Sequence, residues 1–164
     1  MIVLDTNVVS EARKSTCDPR VKHWLAAQAV DGLYLSAISV LEIQRGIEKA
    51  AHQGDSRQAA VITTWLETIV LPAFSGRIIA VDHLIVRQAA RLPWPEPEDY
   101  RDALIAASAM VHGATVATRN VRHFLQSGVA LINPWERPVT QAAARVRSRG
   151  LGLDLKPPVS SSPR

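Results

Sequence analysis

The sequence predicts an α/β layered fold built on a parallel sheet, on three observations. Five short apolar, β-rich stretches recur along the chain, at 2–4, 33–35, 78–81, 115–118 and 130–132. Longer segments with helical spacing separate them, which favours parallel pairing through crossover helices. The stretches are nearly all apolar rather than alternating, as expected of strands covered by helices on both faces.

Each element has its own local reason. Ile2 to Leu4 run straight into Asp5, Thr6 and Asn7, after which a helix-like stretch begins. Asp18-Pro19 is a cap and first-turn pair for a helix carrying Val21, Trp24, Leu25 and Gln28. Ser39 to Ala51 reads as a second helix, and Ile62, Leu66, Ile69 and Val70 mark a third. Asp82 is the predicted N-cap of a fourth, which runs to Arg91. Pro93, Pro95 and Pro97 stiffen PWPEP into a loop. A fifth helix, Asp99 to His112, stops at Gly113. NPWERP, at 133–138, closes the compact domain, which is set at residues 1–136. Residues 137–164 read as a basic, Arg-, Pro- and Ser-rich extension, with a short helix over 142–149 and disorder from Lys156 onward.

A chain of 164 residues is long enough for one domain with a real core. Apolar content of 47% with 21% charge excludes a disordered chain. No apolar run reaches the roughly 18 residues that span a bilayer, and no basic region with an apolar stretch marks a signal peptide. Cys17 is the single cysteine, and no Cys/His cluster suggests zinc, so a reducing cytoplasm is expected. The net charge of +4 does not belong to the body. Residues 1–136 hold 13 Lys and Arg against 14 Asp and Glu, while residues 137–164 hold 6 against 1. Global charge therefore says little about what the body binds.

The acids carry more information. Asp5 follows the first strand, at the strand end where ligands of open parallel sheets bind; alternatively it only caps the next helix. Glu42, in SVLEIQRG, has apolar neighbours that can turn it inward; alternatively it pairs with Arg45 on the surface. Asp102 opens the Ala-rich fifth helix, where the helix dipole also favours an acid, and Asp99 is assigned to capping. Thr118 and Asn120, in ATRN, follow the fourth strand and would point into the same crevice; alternatively Asn120 is a plain cap. His123 reads as structural. Three gathered carboxylates repel one another and resist desolvation, and a divalent cation removes both penalties. Mg²⁺ or Mn²⁺ would take oxygen ligands there, activate water and support phosphodiester displacement. Thr6 and Asn7 would orient a carboxylate or the attacking water.

MIVLDTNVVSE, SVLEIQRGIE, DYRDALIAASAMVHGATVATRNVRHF and GVALINPWE, in that order, resemble the PIN-domain family, and within it the VapC-type ribonuclease toxins of type II toxin–antitoxin modules. The resemblance covers residues 1–136. It implies a three-layer αβα sandwich around a parallel five-stranded sheet in order 3-2-1-4-5, and a Mg²⁺-dependent endoribonuclease, with Mn²⁺ as substitute. It maps the catalytic set onto Asp5, Glu42, Asp102 and Asn120, with Asp5, Asp102 and Glu42 as metal ligands and Thr118 holding water or metal. Many relatives carry a fourth acid at or just after the TRN element. Here Asn120 and His123 stand there, so one tightly held ion is expected. The resemblance further implies a cognate antitoxin, a homodimer, and operator DNA bound only through the antitoxin. Helices around Trp24 and Trp65 are candidates for the antitoxin groove; alternatively, and residue by residue the favoured reading, they are core packing. Arg119, Arg122, Arg145 and Arg147 are the candidate RNA-binding residues, those in the extension reaching RNA phosphates together with Arg149.

Two other functions compete. One is a catalytically weak or inactive RNA- or protein-binding module. The other is a phosphohydrolase with Asp5 as nucleophile, which would need a second Asp two residues later, where Asn7 stands.

Overall fold

The computed structural model describes residues 1–93, 100–136 and 155–156. Strands β1 (Ile2–Leu4), β2 (Leu33–Ser36), β3 (Ile78–Ile79), β4 (Thr115–Ala117) and β5 (Leu131–Ile132) form one all-parallel sheet in the order 3-2-1-4-5. The central strand β1 pairs on both sides, with Ile2 opposite Leu33 and Thr115. Its side chains alternate between two cores. Leu4 belongs to one apolar cluster and Val3 to the other, both fully buried.

The Leu4 face is covered by α1 (Thr6–Arg13), α2 (Pro19–Ala26), α3 (Ala37–His52) and α4 (Ser56–Trp65), through Val8, Val9, Leu25, Ile43 and Trp65 among others. A wide π-type turn (Leu66–Val70) and the short α5 (Leu71–Ala73) complete it. On the Val3 face lie α6 (His83–Ala89) and α7 (Tyr100–Val111), joined by Phe124 of α8 (Val121–Phe124). The alanines of α7, among them Ala103, Ala106 and Ala107, are at most 1% exposed. Small side chains let this helix lie close against the sheet.

Two caps are those read in the sequence: Asp18 accepts from the Arg20 amide, and Asp82 from the Leu84 and Ile85 amides. Asp55, not singled out there, accepts from the Gln58 amide at the start of α4. Gly113, at φ 60°, ends the turn after α7 in a conformation that other residues adopt at a cost. The edge strand β3 stops at Ile79 rather than Val81, because the chain must leave the sheet early enough for Asp82 to cap α6. The third helix starts at Ser56 and widens into the π-type turn, where the Leu71 amide bonds back to the Leu66 carbonyl. Pro72 follows directly and has no N–H with which to carry the ladder on.

Trp65 is 2% exposed, a core residue rather than part of a partner groove. Its indole N–H donates to the Leu155 carbonyl at 2.8 Å, and Leu155 joins the same core cluster. A residue beyond position 136 thus packs into the body. The stiff-loop residues Pro95 and Pro97, the cap assignment for Asp99, and Arg145, Arg147 and Arg149 lie outside the described residues.

Candidate active site

The site is built where β1 and β4 end side by side. Asp5 continues the ladder, its amide donating to the Ala117 carbonyl at 3.0 Å. Its backbone is extended, as at an ordinary N-cap, yet its carboxylate makes no cap bond to α1. It accepts instead at Oδ2 from the Thr118 hydroxyl (2.6 Å) and from Asn7 Nδ2 (2.6 Å). Asn7 Nδ2 also reaches Thr118 Oγ1 at 3.1 Å, and Asn7 Oδ1 accepts from the Arg119 amide at 3.2 Å. Thr118 Oγ1 accepts in turn from the Asn120 amide at 2.9 Å. Asp5, 5% exposed, is therefore fixed by two strands at once.

Glu42 projects from α3, which Ser36 caps by accepting from the Ile38 amide. The Thr6 hydroxyl donates to Glu42 Oε2, and Arg101 Nε stands 3.3 Å from Oε1. The surface pair with Arg45 is not what this glutamate makes. Asp102 lies in the first turn of α7, and its Oδ2 is 2.9 Å from His123 Nδ1. Asn120 precedes α8 without capping it through its side chain.

Asp5, Glu42, Asp102 and Asn120 line one opening of about 310 Å³, together with Thr6, Asn7 and Ser10. The acids feel one another there. Burial pushes the Asp5 carboxyl up to about 6; the charges of Asp102 and Glu42 add to this, while the Thr118 hydroxyl and the Thr6 amide pull the other way. Among the described residues, no three His, Cys, Asp or Glu side chains stand close enough to grip one ion directly. The opening is lined by hard oxygen donors and is wider than a bare ion. That suits a cation that keeps several waters and takes one or two carboxylates, the habit of Mg²⁺.

The structure thus brings together Asp5, Thr6, Asn7, Glu42, Asp102, Thr118 and Asn120. Arg119 and Arg122 flank the opening on the α8 side. Three residues of the site were not anticipated. His123, read as structural, holds Asp102. Arg101, next to Asp102 in sequence, reaches across to Glu42. Ser10 lies one helical turn after Thr6, a spacing that could have marked it. At the position where a phosphohydrolase would need its second acid, Asn7 donates an amide hydrogen to Asp5, so that reading loses its proton donor.

A family model described as PIN domain matches residues 2–152. The chain is 40% identical over 141 residues to VapC ribonuclease Y4jK of Sinorhizobium fredii, covering 83% of this chain and 99% of that protein. It is 36% identical to Toxin FitB of Neisseria gonorrhoeae, with 82% and 99% covered. A solved structure of FitAB bound to an IR36 DNA fragment superposes with a TM-score of 0.74 at 34% identity, over 84% of this chain and 97% of that one.

Proposed function

The chain belongs to the PIN-domain family, and on that premise we propose that it is the toxin of a type II toxin–antitoxin pair, a Mg²⁺- or Mn²⁺-dependent endoribonuclease. The observation that carries the reading is the convergence of Asp5, Glu42, Asp102 and Asn120, from four separate segments, on one opening at the strand ends. The ribonuclease name of one relative and the toxin name of another agree with it.

Asp5 and Asp102 would hold the ion, with Glu42 binding it or its water. When bound, the ion supplies charge that activates water and neutralises the phosphodiester. The chain's own residues do the positioning. Thr118 and Asn7 fix the Asp5 carboxylate from two sides, Thr6 and Arg101 fix Glu42, and His123 fixes Asp102. The Asn120 side chain, unused as a cap, is free to meet water or phosphate at the same opening. With a neutral Asn120 and His123 where the family resemblance implies a fourth acid, one ion is the proposed complement.

The proposed partners are an RNA substrate and a cognate antitoxin, with a homodimer as the assembly and operator DNA reached only through the antitoxin. The solved FitAB assembly bound to a DNA fragment supports, by analogy, an antitoxin partner and DNA bound by the pair. Among the described residues, no helix is long and apolar enough to cross a membrane; the proposed setting is the cytoplasm.

Purified protein supplied with Mn²⁺ should cut structured RNA, and Asp5→Asn should abolish cutting without lowering the melting temperature. If wild type and variant are equally inert in every divalent metal, the fold serves as a binding module instead. Hydrolysis of an aryl phosphate in place of RNA would overturn the nuclease reading in favour of a phosphohydrolase.

A further inference from the structure

Beside the acidic opening lies a second one of about 240 Å³, whose lining includes Arg119, Asn120, Arg122, His123, Asn133 and Glu136. Asn120 borders both openings, so they meet at the turn between β4 and α8. The character of the wall changes across that residue, from carboxylates on one side to guanidinium groups on the other.

Arg119 is anchored at two points. Its amide donates to Asn7, the residue that also holds Asp5. Its guanidinium carbon stands 5.5 Å from the centre of the Trp135 ring, a cation–π contact on a buried platform. The far wall is equally built. Asn133 Oδ1 accepts from the Trp135 amide at 3.0 Å, and Asn133 Nδ2 donates to Glu136 Oε1 at 2.7 Å. The carboxylate of this lining is thus already engaged by a neutral donor. Arg122 is exposed and pairs with no acid among the described residues.

We propose that this second opening seats an RNA phosphate flanking the cleaved linkage, held between Arg119 and Arg122, with the strand crossing from one opening to the other over Asn120. This rests on the ribonuclease reading and deepens it. A phosphate offers several acceptor oxygens to two guanidinium groups. A strand of regularly spaced phosphates suits adjacent seats of opposite sign, one of which needs a cation of its own. An acidic protein segment has no such use for the acid-lined neighbour.

The test is the binding of a fluorescein-labelled single-stranded RNA hexanucleotide, followed by anisotropy across a salt series in EDTA, so that nothing is cut. Arg122→Ala and Arg119→Ala should each weaken binding roughly three- to tenfold at low salt and take about one off the slope of log K against log salt. Arg57→Ala, at the start of α4, should change neither. Should Arg119→Ala expose Trp135 and lower the melting temperature, Arg122→Ala carries the result alone. Unchanged affinity and slope in Arg122→Ala would overturn the proposal. So would intact RNA binding with lost affinity for a glutamate-rich peptide, which would hand the opening to an acidic protein. The ribonuclease reading is judged separately: wild type that cuts RNA while these variants bind normally sinks only the phosphate seat, and variants that lose binding while no metal supports cutting sink only the nuclease.

Discussion

Asp5 just before α1 and Glu11 in its second half stand six residues apart and are almost equally hidden, at 5% and 7% exposure. Their surroundings are opposite. Glu11 accepts from Lys14 Nζ at 2.7 Å and from the Asp18 amide at 2.9 Å, tying α1 to the start of α2. The Lys14 bond and then the Asp18 amide hold its carboxyl below the usual range, against the effect of burial, and the charges of Lys14 and Arg119 add to the lowering. Asp5 receives only a hydroxyl and neutral amides, and faces two more acids. A carboxylate placed to hold the fold together is given cations. One placed to hold something else is left among its own kind, and the fold bears the cost.

The sharpest way to break that contrast is to remove each charge. Asp5→Asn should lower RNA cleavage in Mn²⁺ by roughly a thousandfold or more, the scale of several kcal/mol of transition-state stabilisation. In metal-free protein the same change should leave the melting temperature unchanged or raise it. A clear fall in stability would put Asp5 on the structural side with Glu11.

The pH dependence should differ in sign. Asp5 keeps its proton in the native state up to about 6, against an ordinary value of 3.8. Its contribution is therefore greatest in acid and declines as pH rises from about 4 to about 6, by an amount of order 3 kcal/mol. Glu11, lowered by its partners, stabilises above the usual carboxylate range and loses that contribution as pH falls. Denaturant unfolding in EDTA over this range, with wild type and Asp5→Asn, should show the decline flattened in the variant. Glu11→Ala should cost about 1–3 kcal/mol at neutral pH, since the Asp18 amide loses its acceptor and Lys14 its partner. Specific activity of the folded fraction should hold.

What could be read in advance divides along the same line. The sheet and its helices announce themselves locally, through apolar runs, Asp caps and Gly113. The order 3-2-1-4-5 came with the resemblance, and the strand pairings agree. The acids could be placed at strand ends and helix starts because those positions are local too. Their partners could not. Thr6 meets Glu42 across 36 residues and His123 meets Asp102 across 21, and nothing in the run VRHF shows which way its histidine turns. In sequence, Trp65 is open between core and partner groove for a similar reason. An aromatic at helical spacing looks the same whether it faces a partner or, as here, the carbonyl of Leu155.

His123 gives the smallest and most discriminating effect. Its side chain is half exposed and touches the Asp102 carboxylate, so a stability role would be slight. If it positions Asp102, His123→Ala should lower kcat several-fold while KM for RNA and the melting temperature stay near wild type. His123→Asn, which keeps a hydrogen-bond donor of similar reach, should recover part of the loss. Equal losses in both variants would show that the imidazole does more than hold its neighbour. No loss in either would place His123 with Glu11's surroundings, as packing at the edge of the site, and would leave Asp102 held by α7 alone.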